Sequence, residues 1–523
     1  MWNDSETTED LLNFKIVADT AARIIKERGG QPISIGVSGS WGMGKSSLVK
    51  MIGNSIQEID KGGRYLFVDF NAWLYQGYDD ARMALLQIVA DTIYEKTKKN
   101  RSLSEKAMGF IKRIKVLRSL RFFTPIVVGA SVGGALGGPL GAFLGAASSQ
   151  FAKRTAPTAD EWAKLTESYD SVESELSDLL MPSEEKSIPK EITAIRKLFQ
   201  ELLSKLKTTL VICVDDLDRC LPDTAISTLE AMRLLLFIPG TVFIIAADEQ
   251  MIRNAVRHHF RTDLSEELVT SYFDKLIQLP IQVPRLSTNE IKGYLILLLA
   301  ELAVRKGSIP ENVQHEAQEK ILDIVKKSWK GGLTKRIIQD AYGLESASIL
   351  SKEIDMADQL AYIMVASDKI RGNPRLIKRF LNNFLIRQSI AESQGISVGF
   401  GEMIKFQLFE RCASKEEFET LANDVASNEK GQSKLLQDIE AKIKKGMDCS
   451  RETMAKSIFM SRWLELEPPL GNIDLRPLIY LSRDRALPRM TYDELSLEAQ
   501  NIFDALCNTG DLTPGASTRF INF

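Results

Sequence analysis

The sequence predicts an α/β fold: a parallel sheet between helices in three layers, followed by a helical C-terminal region. Three observations carry that reading. A glycine-rich loop, Gly39-Ser40-Trp41-Gly42-Met43-Gly44-Lys45-Ser46, joins a short apolar run to a segment of helical periodicity. A second apolar run, Leu210 to Val214, ends in the paired carboxylates Asp215 and Asp216. A third, ending at Ala247, is apolar after Thr241, and from Thr288 onward helical periods dominate. Short continuous apolar runs alternating with helical stretches are what strands buried on both faces of a parallel sheet look like.

The chain is too long for one core, and about 150 residues per domain suggests roughly three domains. We expect a nucleotide-binding core over residues 1–290, with an insertion at about 97–190, then a helical lid-like domain over 291–390 and a C-terminal helical module over 391–523. Hydrophobic residues at 44% and charged residues at 26% are ordinary for a globular protein. A formal net charge of -2 gives no global attraction to nucleic acid, so nucleic acid is not indicated as a partner. Cys213, Cys220, Cys412, Cys449 and Cys507 lack metal-ligand spacing and suit free thiols in a reducing compartment. Met1 to Asp10 is polar and acidic, without the look of a signal peptide, and the expected location is cytoplasmic.

In chain order, apolar residues from Leu11 to Ile25 recur at helical spacing until Gly29-Gly30 stops them. Ile33 to Val37 is the strand that feeds the loop. The loop fits the phosphate-binding pattern G-x-x-x-x-G-K-[ST] in the strand–loop–helix context it needs. Its glycines let successive N–H groups face one centre, and the positive end of the following helix reinforces that anion nest. Gly39 to Ser47 is therefore the expected cradle for ATP. Lys45 is positioned to reach the β- and γ-phosphates, and the Ser46 hydroxyl to ligate Mg²⁺. The competing reading is a turn that merely joins strand to helix.

Tyr65 to Phe70 reads as a second strand, and a helix follows from Ala81 to about Lys96. Trp73, between them, fits either a core aromatic or a place beside the phosphates. From Phe122 to Ala152 no side chain carries a charge, and Gly129, Gly133, Gly137, Gly141 and Gly145 recur every fourth residue, with basic residues on both flanks. Such a segment admits three readings: insertion into a membrane or a hairpin that touches its inner face, a buried or oligomer-facing glycine helix, and a mobile insertion. Pro139 and the dilution by Gly, Ala and Ser weigh against a spanning helix.

After the strand at 210–214, Asp215 is placed to hold Mg²⁺ and Asp216 to orient or deprotonate the attacking water. Arg219, just beyond, fits a structural salt bridge better than a catalytic arginine. A helix from about Asp223 to Phe237 leads to the strand ending at Ala247. Asp248 then either senses the γ-phosphate or caps the next helix. Tyr272 to Pro284 reads as the last strand region. Further on, Asn373-Pro374-Arg375 opens a helix, and Arg375 is a candidate to reach back to the γ-phosphate. No base-reading Asn/Thr-Lys-x-Asp motif is visible, which favours ATP over GTP.

Taken together these motifs resemble the KAP family of P-loop NTPases. The resemblance is carried by Gly39 to Ser46, Phe70-Asn71-Ala72-Trp73, Asp215-Asp216-Leu217-Asp218-Arg219-Cys220, Tyr272 to Pro284, and Asn373-Pro374-Arg375 with Lys378 to Asn382. It implies a P-loop NTPase three-layer sandwich of the additional-strand type, nucleotide-dependent assembly into a homo-oligomer and, for bacterial members, anti-phage defence with operon-encoded protein partners. Members commonly carry membrane helices inserted between the phosphate loop and the acidic strand, which is where residues 122–152 fall. The leading expectation is an ATP hydrolase whose turnover drives a conformational and oligomeric switch. The alternative is a membrane-associated scaffold that binds ATP with little hydrolysis.

Overall fold

A computed structural model of the 523-residue chain describes residues 1–3, 5–75, 81–119, 188–260, 266–447 and 457–482. The glycine-rich segment 122–152 lies outside the described residues. Among the described residues no helix is long and apolar enough to cross a membrane. The chain divides into two compact units, one of residues 5–10 and 14–284, the other of residues 1–4, 11–13 and 285–523.

Among the described residues the first unit is a five-stranded parallel sheet with helices around it. Its strands are β1 (Ile33–Ser38), β2 (Tyr65–Asn71), β3 (Thr209–Asp215), β4 (Thr241–Ala247) and β5 (Leu279–Gln282), in the order β2-β3-β4-β1-β5. β4 pairs with β1 on one side, Ile35 against Ile244, and with β3 on the other, Cys213 against Ile244. One strand thus separates the phosphate loop after β1 from the acids after β3, which is the additional-strand arrangement. Every residue of β4 is buried, as its unbroken apolar run requires.

Helix α1 (Lys15–Glu27) packs on α2 (Lys45–Ile59), and α2 buries Leu48, Val49, Ile52 and Ile56. Helices α3 (Ala81–Thr97), α4 (Arg101–Ser119) and α5 (Ile188–Leu206) form one packed group, with Phe110 and Phe199 stacked at 5.3 Å. The helix read at 223–237 is α6 (Pro222–Ala231), which continues as a wider π turn over Met232–Leu236. α7 (Glu249–Phe260) and α8 (Glu266–Leu276) complete the unit. The strand region expected at 272–284 is half helix. Val269, Tyr272, Phe273 and Leu276 are buried at helical spacing in α8, and only Leu279–Gln282 joins the sheet.

The second unit is helical: α9 (Thr288–Arg305), α10 (Glu311–Lys326), α11 (Lys335–Ile349), α12 (Ser351–Ala366), α13 (Pro374–Ser393), α14 (Phe400–Cys412), α15 (Lys415–Ala426), α16 (Lys434–Lys444), α17 (Ile458–Leu464) and α18 (Arg476–Leu481). Ser287 and Glu290 close a reciprocal cap on α9, satisfying N–H groups that a helix start otherwise leaves unpaired. At its centre Lys405, only 1% exposed, donates to the carbonyls of Leu466 at 2.6 Å and Pro468 at 3.1 Å, with Glu440 3.8 Å away. Glu440 in turn accepts from the N–H groups of Leu470 and Gly471. The buried cation and anion are therefore both hydrogen-bonded, the condition under which burial of charge is tolerable.

Candidate functional site

The phosphate loop is shaped by backbone that only glycine adopts freely. Gly42 and Gly44 have φ of 85° and 96°, and a Cβ on Gly44 would also stand 2.9 Å from the Phe14 ring. With Gly44 as its cap residue, α2 starts at Lys45, so the first N–H groups of the helix face the loop. Ser47 is fixed from outside, its Oγ accepting the Thr7 N–H at 3.1 Å. Ser40 accepts the Met43 N–H through its carbonyl, tightening the turn, and Trp41 stays largely exposed at its tip.

The structure brings the loop's functional side chains to the acids at the end of β3. Lys45 is buried, and its ammonium contacts Asp218 Oδ2 at 3.0 Å and the Gly39 carbonyl at 2.9 Å. The Ser46 hydroxyl lies against the Asp215 carboxylate, close enough to favour its charged form. Burial raises the Asp215 pKa, the negative charges of Asp216 and Asp218 add to that, and the nearby Ser46 hydroxyl and the Asp216 N–H oppose it. Residues separated by more than 160 positions in the chain thus converge across the width of one strand.

Asp216 has left-handed backbone, φ 55° and ψ 25°. That unusual turn carries its side chain away from Asp215, whose Oδ1 accepts the Asp216 N–H at 2.8 Å. Both Asp216 oxygens are engaged: Asn71 Nδ2 donates to Oδ2 at 2.8 Å, and Arg219 Nε contacts Oδ1 at 2.9 Å. Arg219 therefore makes the structural salt bridge expected of it, and its guanidinium also lies 5.7 Å from the Trp73 ring. Trp73, 48% exposed, is not a core aromatic.

Asp248 is a helix cap. Its Oδ1 accepts the Gln250 N–H at 2.9 Å, while its own N–H donates to Asp218 Oδ2 at 2.9 Å. Arg375 lies in the first turn of α13, in the other unit, its N–H donating to Asn373 Oδ1 at 3.0 Å.

Two contributors went unassigned in the sequence. Asp218 was one acid among three; a short 3₁₀ turn, Leu217–Arg219, is what swings it to Lys45. Asn71 had a usable signal, because parallel strands with β2 beside β3 put it opposite Asp215.

The residues present fit a nucleotide with Mg²⁺. Gly42 and Gly44 hold the positive φ that bends the loop into an anion cradle, and Ser46 and Asp215 offer the hard oxygen donors that Mg²⁺ prefers.

Over 196 residues the chain is 22% identical to the uncharacterized protein MJ0182 of Methanocaldococcus jannaschii, covering 35% of this chain and 91% of that one. The ORC2 protein of Aeropyrum pernix in its ADP form superposes over 86% of this chain and 78% of its own, at 12% identity and a TM-score of 0.29. Its ADPNP-ADP complexes give 13% identity and 0.28 over 87% and 79%. Superpositions that loose carry no weight beside the strand order and loop geometry. The family model described as the KAP family P-loop domain matches residues 14–391, most of the 523, and the chain belongs to the KAP family.

Proposed function

We propose that this chain is an ATP hydrolase. The observation that carries the reading is the convergence of Lys45 and Ser46 on Asp218 and Asp215 across β4. Gly39 to Ser47 would wrap the triphosphate with backbone N–H groups, and Lys45 would place its charge on the β- and γ-phosphates. Ser46 and Asp215 would hold Mg²⁺, which when bound neutralises charge between those phosphates. Asp216 would orient a water in line with the γ-phosphorus and accept its proton. As the new P–O bond forms, the bond to the β–γ bridging oxygen breaks and ADP leaves with that electron pair. To serve as base, Asp216 must release one partner, and Arg219, the more exposed, is the one it can give up. Asp248, at the end of β4, and Arg375 are proposed to register the γ-phosphate.

The proposed consequence of turnover is a conformational and oligomeric switch, in a homo-oligomer acting with operon-encoded partners in bacterial anti-phage defence. Membrane contact through 122–152 belongs to the same proposal, and a liposome flotation that is unchanged by deleting those residues would remove it.

Turnover and nucleotide binding test the central reading. Lys45→Ala is expected to abolish binding, and Asp216→Asn to leave binding intact while cutting kcat at least a hundredfold. Unchanged turnover in both variants would refute it.

A further inference from the structure

The turn between α10 and α11 of the helical unit holds a tryptophan out in water. Trp329 is 79% exposed, and Lys326, Lys327 and Lys330 around it are exposed as well. We propose that this turn docks on an anionic lipid bilayer, with the indole seated among the headgroups and the lysines on their phosphates.

The turn is built, not merely a connection. The N–H groups of Lys327, Ser328, Lys330 and Gly331 donate to the carbonyls of Ile324, Val325, Lys327 and Ser328 in succession. Val325 before it and Leu333 after it are 2% and 1% exposed, and the Leu333 N–H donates to Asn289 Oδ1 of α9 at 3.1 Å. The backbone is thus pinned on both sides of Trp329 while the ring stays in solvent. Among the described residues nothing accepts its indole N–H, and the Lys330 ammonium lies 4.9 Å from the ring centre. So large an apolar ring, left exposed with its polar edge unused, suits a medium that is apolar on one side and wet on the other.

The charges select the partner. From Leu322 to Thr334 there are three lysines and one carboxylate, Asp323, a formal excess of two positive charges. Lys327 contacts Asp323 at 2.7 Å, but both are exposed and water screens the pair; Lys326 makes no ion pair among the described residues. A single strand of nucleic acid asks for a longer basic track and successive rings on which bases stack. Here the next cations, Lys335 and Arg336, are already engaged by Asp355 and Asp340, so the unopposed charge stops at the turn. A bilayer needs only such a point: the lysine stems lie along the apolar boundary and their ammonium groups reach the headgroups.

The test floats the full chain, without nucleotide, on vesicles of phosphatidylcholine alone and of equal parts phosphatidylcholine and phosphatidylserine. Binding to the anionic vesicles is expected to be at least tenfold the stronger. A lysine beside such a surface contributes about fivefold to partition, so Lys326→Gln with Lys330→Gln should weaken it at least tenfold. Trp329→Ala should weaken it at least fivefold; all three side chains are exposed, so folding is not at stake. Brominated acyl chains should quench the tryptophan fluorescence of the wild type more than that of Trp329→Phe. Residues 122–152 contain no tryptophan, so contact through them alone would not give that difference. Trp329→Ala floating as well as the wild type, equal quenching of the wild type and Trp329→Phe, or Trp329-dependent binding of oligothymidylate in place of vesicles would each overturn the proposal.

Discussion

Replacing Asp218 isolates the contact that fixes Lys45. At 3.0 Å, and with an effective dielectric constant of about 20, the Coulomb attraction between the two charges is about 5 kcal/mol. Desolvation of both partners offsets much of that, but the substitution leaves the lysine buried, and removing one partner of a buried pair typically costs about 3–5 kcal/mol. Lys45 keeps the Gly39 carbonyl, which lowers the expected loss to about 3 kcal/mol for Asp218→Ala. Asp218→Asn retains an oxygen for both Lys45 and the Asp248 N–H, so about 1–2 kcal/mol is expected. Hydrogen exchange of the α2 and β3 amides reports the stability of this unit separately from the helical one. A double-mutant cycle with Lys45→Met then isolates the pair. A coupling below about 0.5 kcal/mol, or an Asp218→Ala chain as protected as the wild type, would refute the argument that Asp218 holds the lysine.

Gly44→Ala forces φ of 96° on an L-residue and drives a Cβ into Phe14, so nucleotide binding should fall by at least tenfold, read with a fluorescent ADP analogue. Asn71→Ala removes one of the two groups that fix Asp216 and should lower kcat about tenfold with nucleotide affinity unchanged; a change in affinity alone would contradict the positioning role. Burial lowers the Lys405 pKa from 10.5 to about 8, against the pull of Glu440 and Glu467. The folded state therefore sheds this proton before the unfolded state does, and stability of the helical unit should rise by ~3 kcal/mol as pH goes from about 8 to above 10.5. It is lost again as pH falls through about 8. Urea unfolding followed by Trp463 fluorescence checks this, and Lys405→Met should flatten the pH dependence.

What could be read from the residues was whatever burial imposes locally. β3 and β4 announced themselves because both of their faces are covered, and the phosphate loop because its backbone tolerates only glycine at two positions. The segment after Tyr272 misled because aromatic and branched residues suit a strand, while their spacing, three and four apart, suits a helix; packing selected the helix. The partner of Lys45 was hidden for a different reason. It depends on a left-handed residue at Asp216 and a one-turn 3₁₀ segment, and nothing in Asp-Asp-Leu-Asp distinguishes which acid turns inward.

Asp248 is employed at both ends. Its amide is tied to the same carboxylate oxygen that grips the phosphate-loop lysine, and its own carboxylate anchors the first turn of α7. Removing the Asp218 carboxylate would leave both the lysine and the Asp248 N–H without that acceptor. Lys45 and the first turn of α7 are thus moored, through Asp248, to one shared carboxylate oxygen.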